Sequence, residues 1–377
     1  MTQAHLTIKK YFGKLKDPRI KRRKLHRLLD IITIALCGVI CGCNDWQQIA
    51  TFGRGRLEWL KKFLALPNGI PSHDTFERVF DRLDPQAFQS CFRSWMQALH
   101  EALGLSQIAI DGKTLRGSAR GDLKGLHLVS AWATANGVSL GQVAVAEKSN
   151  EIPAIPQLLQ LLEVKGALIT IDAMGCQKDI AQAIVDKKAD YVLTVKDNQP
   201  KLRANLEAYF GKALENDFAG MQHSSYETED HSHGRQETRC YDIIVNPPDF
   251  NIAEWPTVKA IGMCCRERIS EGQTSTEVIF FIGSRKASAK TYGKALRDHW
   301  SIENNLHWQL DVSFAEDHNR VSRRQGAENL AVLRRLTLSL LKQHPAKESI
   351  ACKRLRAALE PDFLREILAI DENSAKI

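Results

Sequence analysis

The sequence predicts an α/β protein in which a small helical N-terminal domain precedes a core built on a mixed β-sheet. Apolar residues recur at helical spacing through residues 1–105. Three strand-type runs then follow one another, and after them helix and strand patterns alternate along the chain. Antiparallel strands followed by alternating helices and strands are typical of a mixed sheet covered by helices.

Length, composition and charge limit the classes of protein that fit this chain. Its 377 residues, 44% hydrophobic and 25% charged, are enough for a large globular core. The net charge of +8 favours a polyanionic partner, usually nucleic acid, although a merely basic soluble enzyme fits the charge equally well. We expect a cytoplasmic protein without a membrane partner, because no apolar run reaches transmembrane length and the N-terminus lacks a signal-peptide core.

The N-terminal domain, residues 1–105, is predicted to be mostly helical. Helix patterns cover residues 28–42 and 45–64, and a further helix is expected to start at Pro85. A cluster of Lys and Arg at residues 19–24 favours DNA contact by this domain. The alternative is that the domain is a structural cap on the core.

Residues 106–212 predict the first part of the α/β core. Strands are expected at 107–111, 126–135, 138–146, 167–172 and 191–195, and helices at 152–162 and 177–187. Asn136-Gly137 is a strong signal for a hairpin between the second and third strands. The resulting order, β-β-β-α-β-α-β, is that of a ribonuclease-H-like core.

A β-rich insertion is predicted at residues 213–290. Its strand-type runs are 237–245, 258–265 and 275–282, and the polar stretch 222–235 is expected to be a connection. Residues 291–345 return to helix patterns and complete the core. Residues 346–377 predict a polar helical C-terminal tail.

Two predicted strands each end in an aspartate, Asp111 and Asp172. Open α/β sheets bind ligands outside the carboxyl ends of their strands. Mg²⁺ prefers carboxylate oxygens and completes its shell with water and substrate phosphate, and two-metal phosphoryl chemistry needs a few such carboxylates. The pair therefore predicts a divalent-metal site that acts on phosphate. The alternative is that each aspartate starts an ordinary turn.

A third carboxylate is expected from the helix pattern that follows the insertion. His299, Glu303 and His307 are spaced at i, i+4 and i+8 and would share one helical face. Glu303 would then point at the metal ions, with the histidines toward phosphate or water. Three later acids compete for the role: Asp311, Glu316 and Asp317. A zinc site formed by the two histidines and Glu303 is a further alternative.

Four motifs together resemble a known family. They are Ile-Asp-Gly-Lys at 110–113, Ile-Asp-Ala-Met-Gly-Cys-Gln at 171–177, Val-Lys-Asp-Asn-Gln at 195–199 and His-Trp-Ser-Ile-Glu-Asn-Asn-Leu-His-Trp-Gln-Leu-Asp-Val at 299–312. The combination is similar to the H-repeat-associated transposases, which are insertion-sequence DDE transposases with a ribonuclease-H-like catalytic core. The resemblance extends over essentially the whole chain.

The resemblance implies a catalytic triad and its cofactor. Asp111, Asp172 and Glu303 would be the acids, and they would hold Mg²⁺, with Mn²⁺ able to substitute. The β-rich insertion would separate the second acid from the third. The partners implied are the terminal repeats of the element and target DNA, with a homodimer acting on paired ends.

One departure from related transposases concerns the surroundings of the third acid. Many of them carry a Tyr-Arg-Glu-Lys signature, and the positions of its arginine and lysine are His299 and Leu310 here. His299 or Arg297 is expected to take the phosphate role of the arginine. The role of the lysine has no visible replacement in the sequence.

Several polar residues near the acids are expected to contact DNA. In chain order they are Lys113, Arg116, Lys196, Asn198, Gln199, Arg297, His299 and His307. For the three residues between 196 and 199, a solvated turn is the alternative. Trp300 and Trp308 are expected in the core at helical spacing, with stacking on a DNA base as the alternative.

The sequence therefore predicts metal-dependent cleavage of DNA at insertion-sequence ends, followed by strand transfer into target DNA. No covalent enzyme intermediate is needed for this chemistry. Two alternatives stay open. One is a metal-dependent nuclease that cuts without joining, and the other is a catalytically inactive, transposase-derived DNA-binding protein.

Overall fold

The computed structural model describes residues 3–20, 24–104, 107–119, 124–146, 149–232, 235–251, 254–270, 273–321 and 323–370. The helices in this part of the chain are α1 (Gln3–Phe12), α2 (Leu28–Ile40), α3 (Trp46–Gly55), α4 (Leu57–Leu60), α5 (His73–Phe80), α6 (Pro85–Leu103), α7 (Glu151–Gln160), α8 (Lys178–Asp186), α9 (Pro200–Glu215), α10 (Ala289–His299), α11 (Trp308–Val312), α12 (Arg324–Gln343), α13 (Ile350–Leu359) and α14 (Pro361–Leu368). Residues 21–23 of the predicted basic cluster lie outside the described residues.

The strands complete an α/β architecture. They are β1 (Gln107–Leu115), β2 (Leu126–Ala133), β3 (Val138–Ala144), β4 (Leu168–Ile171), β5 (Asp190–Val195), β6 (Gln222–Ser232), β7 (Arg235–Val245), β8 (Ala260–Ser270) and β9 (Gln273–Gly283). The order β1-β2-β3-α7-β4-α8-β5 confirms the element order predicted for the core. The fold class predicted from the sequence, α/β with a mixed sheet, is thereby confirmed.

The chain divides into two compact units. The central unit comprises residues 106–111 and 150–301, and the terminal unit comprises residues 1–105, 112–149 and 302–377. Strand β1 begins in the central unit and ends in the terminal unit. The predicted domain boundaries group these segments differently and stay a prediction.

The central unit is organised around a mixed sheet in the order β1-β4-β5-β9-β8-β7-β6. The first three strands are parallel, and the remaining pairs are antiparallel. Helix α10 packs on one face of this sheet, where Tyr292 and Ala295 are buried against Leu168, Tyr241 and Phe281. This apolar contact fixes where the C-terminal turn of α10 meets the sheet.

The terminal unit combines the helices of both chain ends with the hairpin β2–β3. The hairpin is antiparallel, and Gly137 in its turn has φ +64°, which confirms the turn predicted at Asn136-Gly137. Helix α12 is largely buried, including Leu333, Leu336 and Leu340. Arg335 of this helix forms an ion pair with Glu316 at 3.2 Å, and both side chains are fully buried.

One strand of the insertion contradicts the sequence prediction. The polar stretch 222–235 was expected to be a connection, but residues 222–232 form β6, which pairs with β7 along its whole length. β6 is the last strand of its sheet, so few of its side chains need to be apolar. Its sequence therefore lacks the alternation of apolar and polar residues that predicts a strand.

The packing of β8 against β9 yields a stability prediction. A Cβ atom at Gly262 would overlap the buried ring of Phe281. We expect Gly262→Ala to lower the free energy of unfolding by about 1–3 kcal/mol, because an overpacked core must shift to accommodate the methyl group. Urea unfolding followed by circular dichroism measures this change.

Gly211 is the matched control for this substitution. It lies in α9, and a Cβ atom there would meet open space. Gly211→Ala should leave the protein as stable or raise its free energy of unfolding by about 0.5–1 kcal/mol, since alanine favours a helix interior. Equal destabilisation by both substitutions would contradict the packing argument.

Candidate active site

Asp111 and Asp172 lie side by side in the central unit. Strands β1 and β4 are parallel, and their register ends with Ile110 opposite Ile171, so the next residue on each strand is an aspartate. Neighbouring strands are about 4.8 Å apart, and residues in register project from the same face of a sheet. Strand pairing thus places two carboxylates next to each other.

The two aspartates differ in their local structure. Asp172 follows the end of β4, as predicted, and caps the 3₁₀ turn Ala173–Gly175 by accepting a hydrogen bond from the backbone N–H of Met174 at 3.1 Å. Asp111 lies inside β1, so the prediction that its strand ends there is wrong. The Asp-Gly turn signal is overridden because β1 continues beside β2, and Leu115 is buried against Leu126.

Neighbouring charges affect the ionisation of Asp172. Partial burial raises the pKa of its carboxyl above the usual value, and the nearby carboxylates of Asp111 and Glu151 raise it further. Glu151 was missed by the sequence reasoning. The available signal was its position as the first residue of α7, directly after the N-cap Asn150. Three acids of the central unit therefore interact electrostatically.

The turn after Asp172 is held by two residues that were predicted to contact DNA. The side-chain amide of Asn198 donates to the carbonyl oxygen of Ala173 at 2.6 Å, and that of Gln199 donates to the carbonyl oxygen of Cys176 at 2.9 Å. These bonds favour a positioning role for both side chains. Lys196, in the same loop, is exposed.

The end of α10 is anchored close to the two aspartates. Nδ1 of His299 lies 3.1 Å from Oγ1 of Thr170, two residues before Asp172 on the same strand. The side-chain amide of Gln107 donates to the same Thr170 oxygen at 3.1 Å and to the carbonyl oxygen of Ala295 at 2.6 Å. One residue from β1, one from β4 and the last turns of α10 are thus connected by hydrogen bonds.

The segment that carries Glu303 differs from the predicted continuous helix. Helix α10 ends at His299, residues 303–307 form a π-helical turn, and α11 begins at Trp308. A π turn holds more residues per turn than an α-helix, so α-helical spacing does not carry across residues 303–307. The single face predicted for Glu303 and His307 is wrong, because the first is exposed and the second is buried. Glu303 is exposed, and His307 is only 4% exposed, a position that does not favour contact with DNA.

The two tryptophans of this segment were expected in the core. Instead, Trp300 is 61% exposed and Trp308 is 54% exposed. The prediction of burial is wrong for both: Trp308 follows the π turn, which interrupts the assumed α-helical period, and Trp300 is the C-cap residue after α10. Leu306 and Leu310 are the buried apolar residues of the segment.

Lys113 binds carboxylates rather than presenting its charge to solvent. In the terminal unit its ammonium group lies 2.8 Å from the carboxylate of Asp311 and 3.3 Å from that of Asp317, and its side chain is 9% exposed. Its predicted DNA contact is therefore not supported. Arg116 differs, because its side chain is 84% exposed although its Nε lies 3.6 Å from Asp317.

The donor set can be compared with what a divalent metal needs. Among the described residues, no group of three or more His, Cys, Asp or Glu side chains is arranged to hold a metal ion. The zinc alternative therefore has no support in this part of the chain. Asp111 and Asp172 fit Mg²⁺, which is commonly bound by one or two carboxylates together with water and substrate phosphate.

Comparison with family models places the chain among the transposases. Residues 103–340 match the Transposase DDE domain, and residues 9–96 match the DDE_Tnp_1-associated domain. The chain belongs to the DDE transposase family. The resemblance to this family predicted from the four motifs is confirmed.

Individual relatives agree with this assignment. The chain is 43% identical to the "Putative transposase YncI" of Escherichia coli O157:H7, over 95% of this chain and 93% of the relative. It is 38% identical to the "H repeat-associated putative transposase YhhI" of Escherichia coli K12, over 91% and 93%. A shorter relative in the same strain, "Inactive transposase YbfQ", matches 17% of this chain at 41% identity.

One solved structure that aligns with the chain is the cryo-EM synaptic complex of the piggyBac transposase with hairpin DNA. It aligns with 97% of this chain and 81% of its own, with a TM-score of 0.43 and 11% identity. Separately, none of the described helices is long and apolar enough to cross a membrane.

The contacts of Lys113 yield a second prediction. We expect Lys113→Ala to lower the free energy of unfolding by about 1–3 kcal/mol, because two carboxylates lose a nearly buried cation. Thermal and urea unfolding measure the change. In a double-mutant cycle, Asp317→Asn should cost less in the Lys113→Ala background than in the wild type. Unchanged stability together with weaker DNA binding would instead support a phosphate contact.

Proposed function

We propose that this protein cleaves DNA at the ends of an insertion sequence and joins the released 3′-hydroxyl to target DNA. The observation that carries the proposal is the pair Asp111 and Asp172, at equal register on neighbouring parallel strands in a member of this family. Mg²⁺, which Mn²⁺ would replace, is the proposed cofactor. When bound by these carboxylates, it would polarise the scissile phosphate and lower the pKa of the attacking water.

The proposed reaction has two steps of the same kind. In cleavage, the oxygen of water bonds to phosphorus, the bond to the 3′ oxygen breaks, and the strand is left with a free 3′-hydroxyl. In joining, this hydroxyl attacks a target phosphodiester in line, and the 3′ oxygen of the target strand leaves. The protein has to hold the phosphate and the nucleophile in line, which is a positioning task for its acids and cations.

Glu303 is the proposed third acid. Its three competitors bind cations within the terminal unit: Asp311 and Asp317 contact Lys113, and Glu316 contacts Arg335. Glu303 is exposed and follows the anchored His299 by four residues. Its exposure makes the carboxylate reachable for a metal ion, and Glu303 is also the acid that the family resemblance implies.

Among the cations near the acids, we propose Arg116 and Lys196 as the phosphate contacts. Both are exposed, and they flank the acids along the chain, the first after Asp111 and the second after β5. The family resemblance further suggests a homodimer on paired ends. Light scattering on the protein mixed with DNA carrying two terminal repeats would measure the number of chains bound.

The central test is neutralisation of the aspartate pair. We expect Asp111→Asn and Asp172→Asn each to reduce cleavage by about a thousandfold or more, because a lost metal ligand removes several kcal/mol of transition-state stabilisation. DNA binding should change little. The measurement is incubation of the purified protein with a duplex carrying its flanking terminal repeat and Mg²⁺, with cleavage positions mapped on a sequencing gel and binding followed by fluorescence anisotropy.

Asp179→Asn is the matched control, because Asp179 is exposed in the first turn of α8 in the same unit. It removes the same charge and should cleave normally. If a folded Asp111→Asn variant lost binding as completely as cleavage, its role as a metal ligand would be rejected. A pre-cut end carrying a 3′-hydroxyl tests joining, and a protein that cuts but never joins would be a nuclease.

A separate experiment distinguishes the candidate third acids. Glu303→Gln should abolish cleavage, whereas Glu151→Gln should retain most of it, since Glu151 is proposed only to add negative charge near Asp172. Gel-based cleavage with Mg²⁺ and with Mn²⁺ compares the two variants. The opposite ranking would assign the third position to Glu151 and would refute the role proposed for Glu303.

A further inference from the structure

The insertion strands separate their charges between the two faces of the sheet. Side chains alternate between the faces along a strand, and residues in register share a face. All arginines of β6–β9 lie on one face of the sheet, the same face on which α10 packs at the other end of these strands. They are Arg235, Arg239, Arg266 and Arg268. The opposite face of these strands carries four acids and no Lys or Arg: Glu227, Glu229, Asp242 and Glu267.

Helix α10 adds a fifth arginine to the first of these faces. Arg297 binds Asp230 on β6 at 2.8 Å. We call the surface formed by Arg235, Arg239, Arg266, Arg268 and Arg297 the arginine face. It also contains the carboxylates of Asp230, Glu237 and Glu277, so positive charges exceed negative charges by two among these residues.

The carboxylates organise the arginines without neutralising all of them. Glu237, which is buried, binds both Arg239 and Arg268, the latter at 3.1 Å, and Glu277 binds Arg266. The side chains of Arg268 and Arg297 stay 39% and 42% exposed, and Arg235 is exposed. Burial lowers the pKa of Arg239, and the nearby charges of Arg297 and Arg266 lower it further.

The arginine face is connected to the aspartate pair through α10. Arg297 contacts the insertion, and two residues later His299 contacts Thr170, which precedes Asp172 on β4. These residues all belong to the central unit. An anionic polymer lying along this face would therefore have one end close to the carboxylates.

We propose that the arginine face is a binding track for the phosphate backbone of DNA that extends away from the aspartate pair. Every cation on these strands is arginine, whose planar guanidinium group binds phosphate through two parallel hydrogen bonds. Arg266 and Arg268 are two residues apart on β8, about 6.6 Å along the strand. This inference rests on the proposed function, because it takes the polyanion to be the DNA substrate.

The experiment measures binding of the full-length protein to duplex DNA in EDTA, so that binding is separated from cleavage. The probes are a fluorescent duplex carrying the flanking terminal repeat and a scrambled duplex of the same length. The double variant Arg266→Gln/Arg268→Gln should bind both probes at least about tenfold more weakly. The slope of log affinity against log salt concentration should also fall in magnitude by about one to two, because binding releases about one fewer counterion for each phosphate contact that is lost.

Arg285→Gln is the matched control. Arg285 is 49% exposed and lies 3.9 Å from Asp190, at the start of β5 and therefore at the opposite end of the parallel strands from the aspartate pair. The substitution removes an ion-paired arginine of the same unit. The DNA affinity of the variant and the salt dependence of that affinity should equal those of the wild type.

Glu237→Gln tests the same face with the opposite sign. It removes the carboxylate that binds Arg239 and Arg268, and DNA binding should tighten about threefold with a steeper salt dependence. A merely structural ion-pair ladder predicts lower stability and no gain in affinity. Because tighter binding cannot result from misfolding, this variant keeps the proposal open to refutation even if the double variant unfolds.

The outcomes separate this inference from the proposed function. If the wild type cleaves the terminal repeat with Mg²⁺ while the double variant and Glu237→Gln bind DNA like the wild type, the arginine face is refuted and the proposed function stands. If the wild type neither binds nor cleaves, the proposed function fails first. A change of oligomeric state in light scattering without a change in DNA affinity would identify the face as a protein–protein contact and overturn the proposal.

Discussion

The parallel register of β1 with β4 is the constraint on which the candidate site of the central unit depends, because it places two carboxylates side by side. The register of β1 with β4 brings Asp111 and Asp172 to the same level of the sheet, and a slip by one residue would turn one of them to the other face. Such a pair is unfavourable in a protein without a bound cation. The cost is tolerated because buried apolar strands, rather than the acids, fix the register.

The polar residues around the pair hold this arrangement in place. Asn198 and Gln199 hold the turn after Asp172, and Thr170 receives the end of α10 through His299. The sequence suggested DNA contact for Asn198, Gln199 and His299 because they are polar and close to the acids. Hydrogen-bonding capacity that is already used inside the fold is less available for a ligand, so their effect on DNA would act through the position of the acids.

How much the sequence predicts depends on how local the signal is. β4 and β5 could be predicted because each is a short, mostly apolar run. The hairpin of β2 and β3 could be predicted because Asn136-Gly137 fits a tight turn. β6 could not, since an edge strand with polar side chains carries no periodic pattern. Predictions that assume 3.6 residues per turn also fail at the π turn of residues 303–307. The predicted burial of Trp308 is wrong for this reason. The ion pairs of Lys113 depend on Asp311 and Asp317, 198 and 204 positions away, which no local pattern encodes.

The charge separation in the insertion is difficult to explain by stability alone. Exposed ion pairs contribute little, about 0–1 kcal/mol each, and alternating signs on both faces would provide the same number of pairs. Placing every arginine of four strands on one face, in excess over its carboxylates, instead creates a local positive field that raises self-repulsion. A polyanion relieves this repulsion. Since Arg297 and His299 belong to one helix turn, binding on the arginine face and the position of Thr170 beside Asp172 would be mechanically linked.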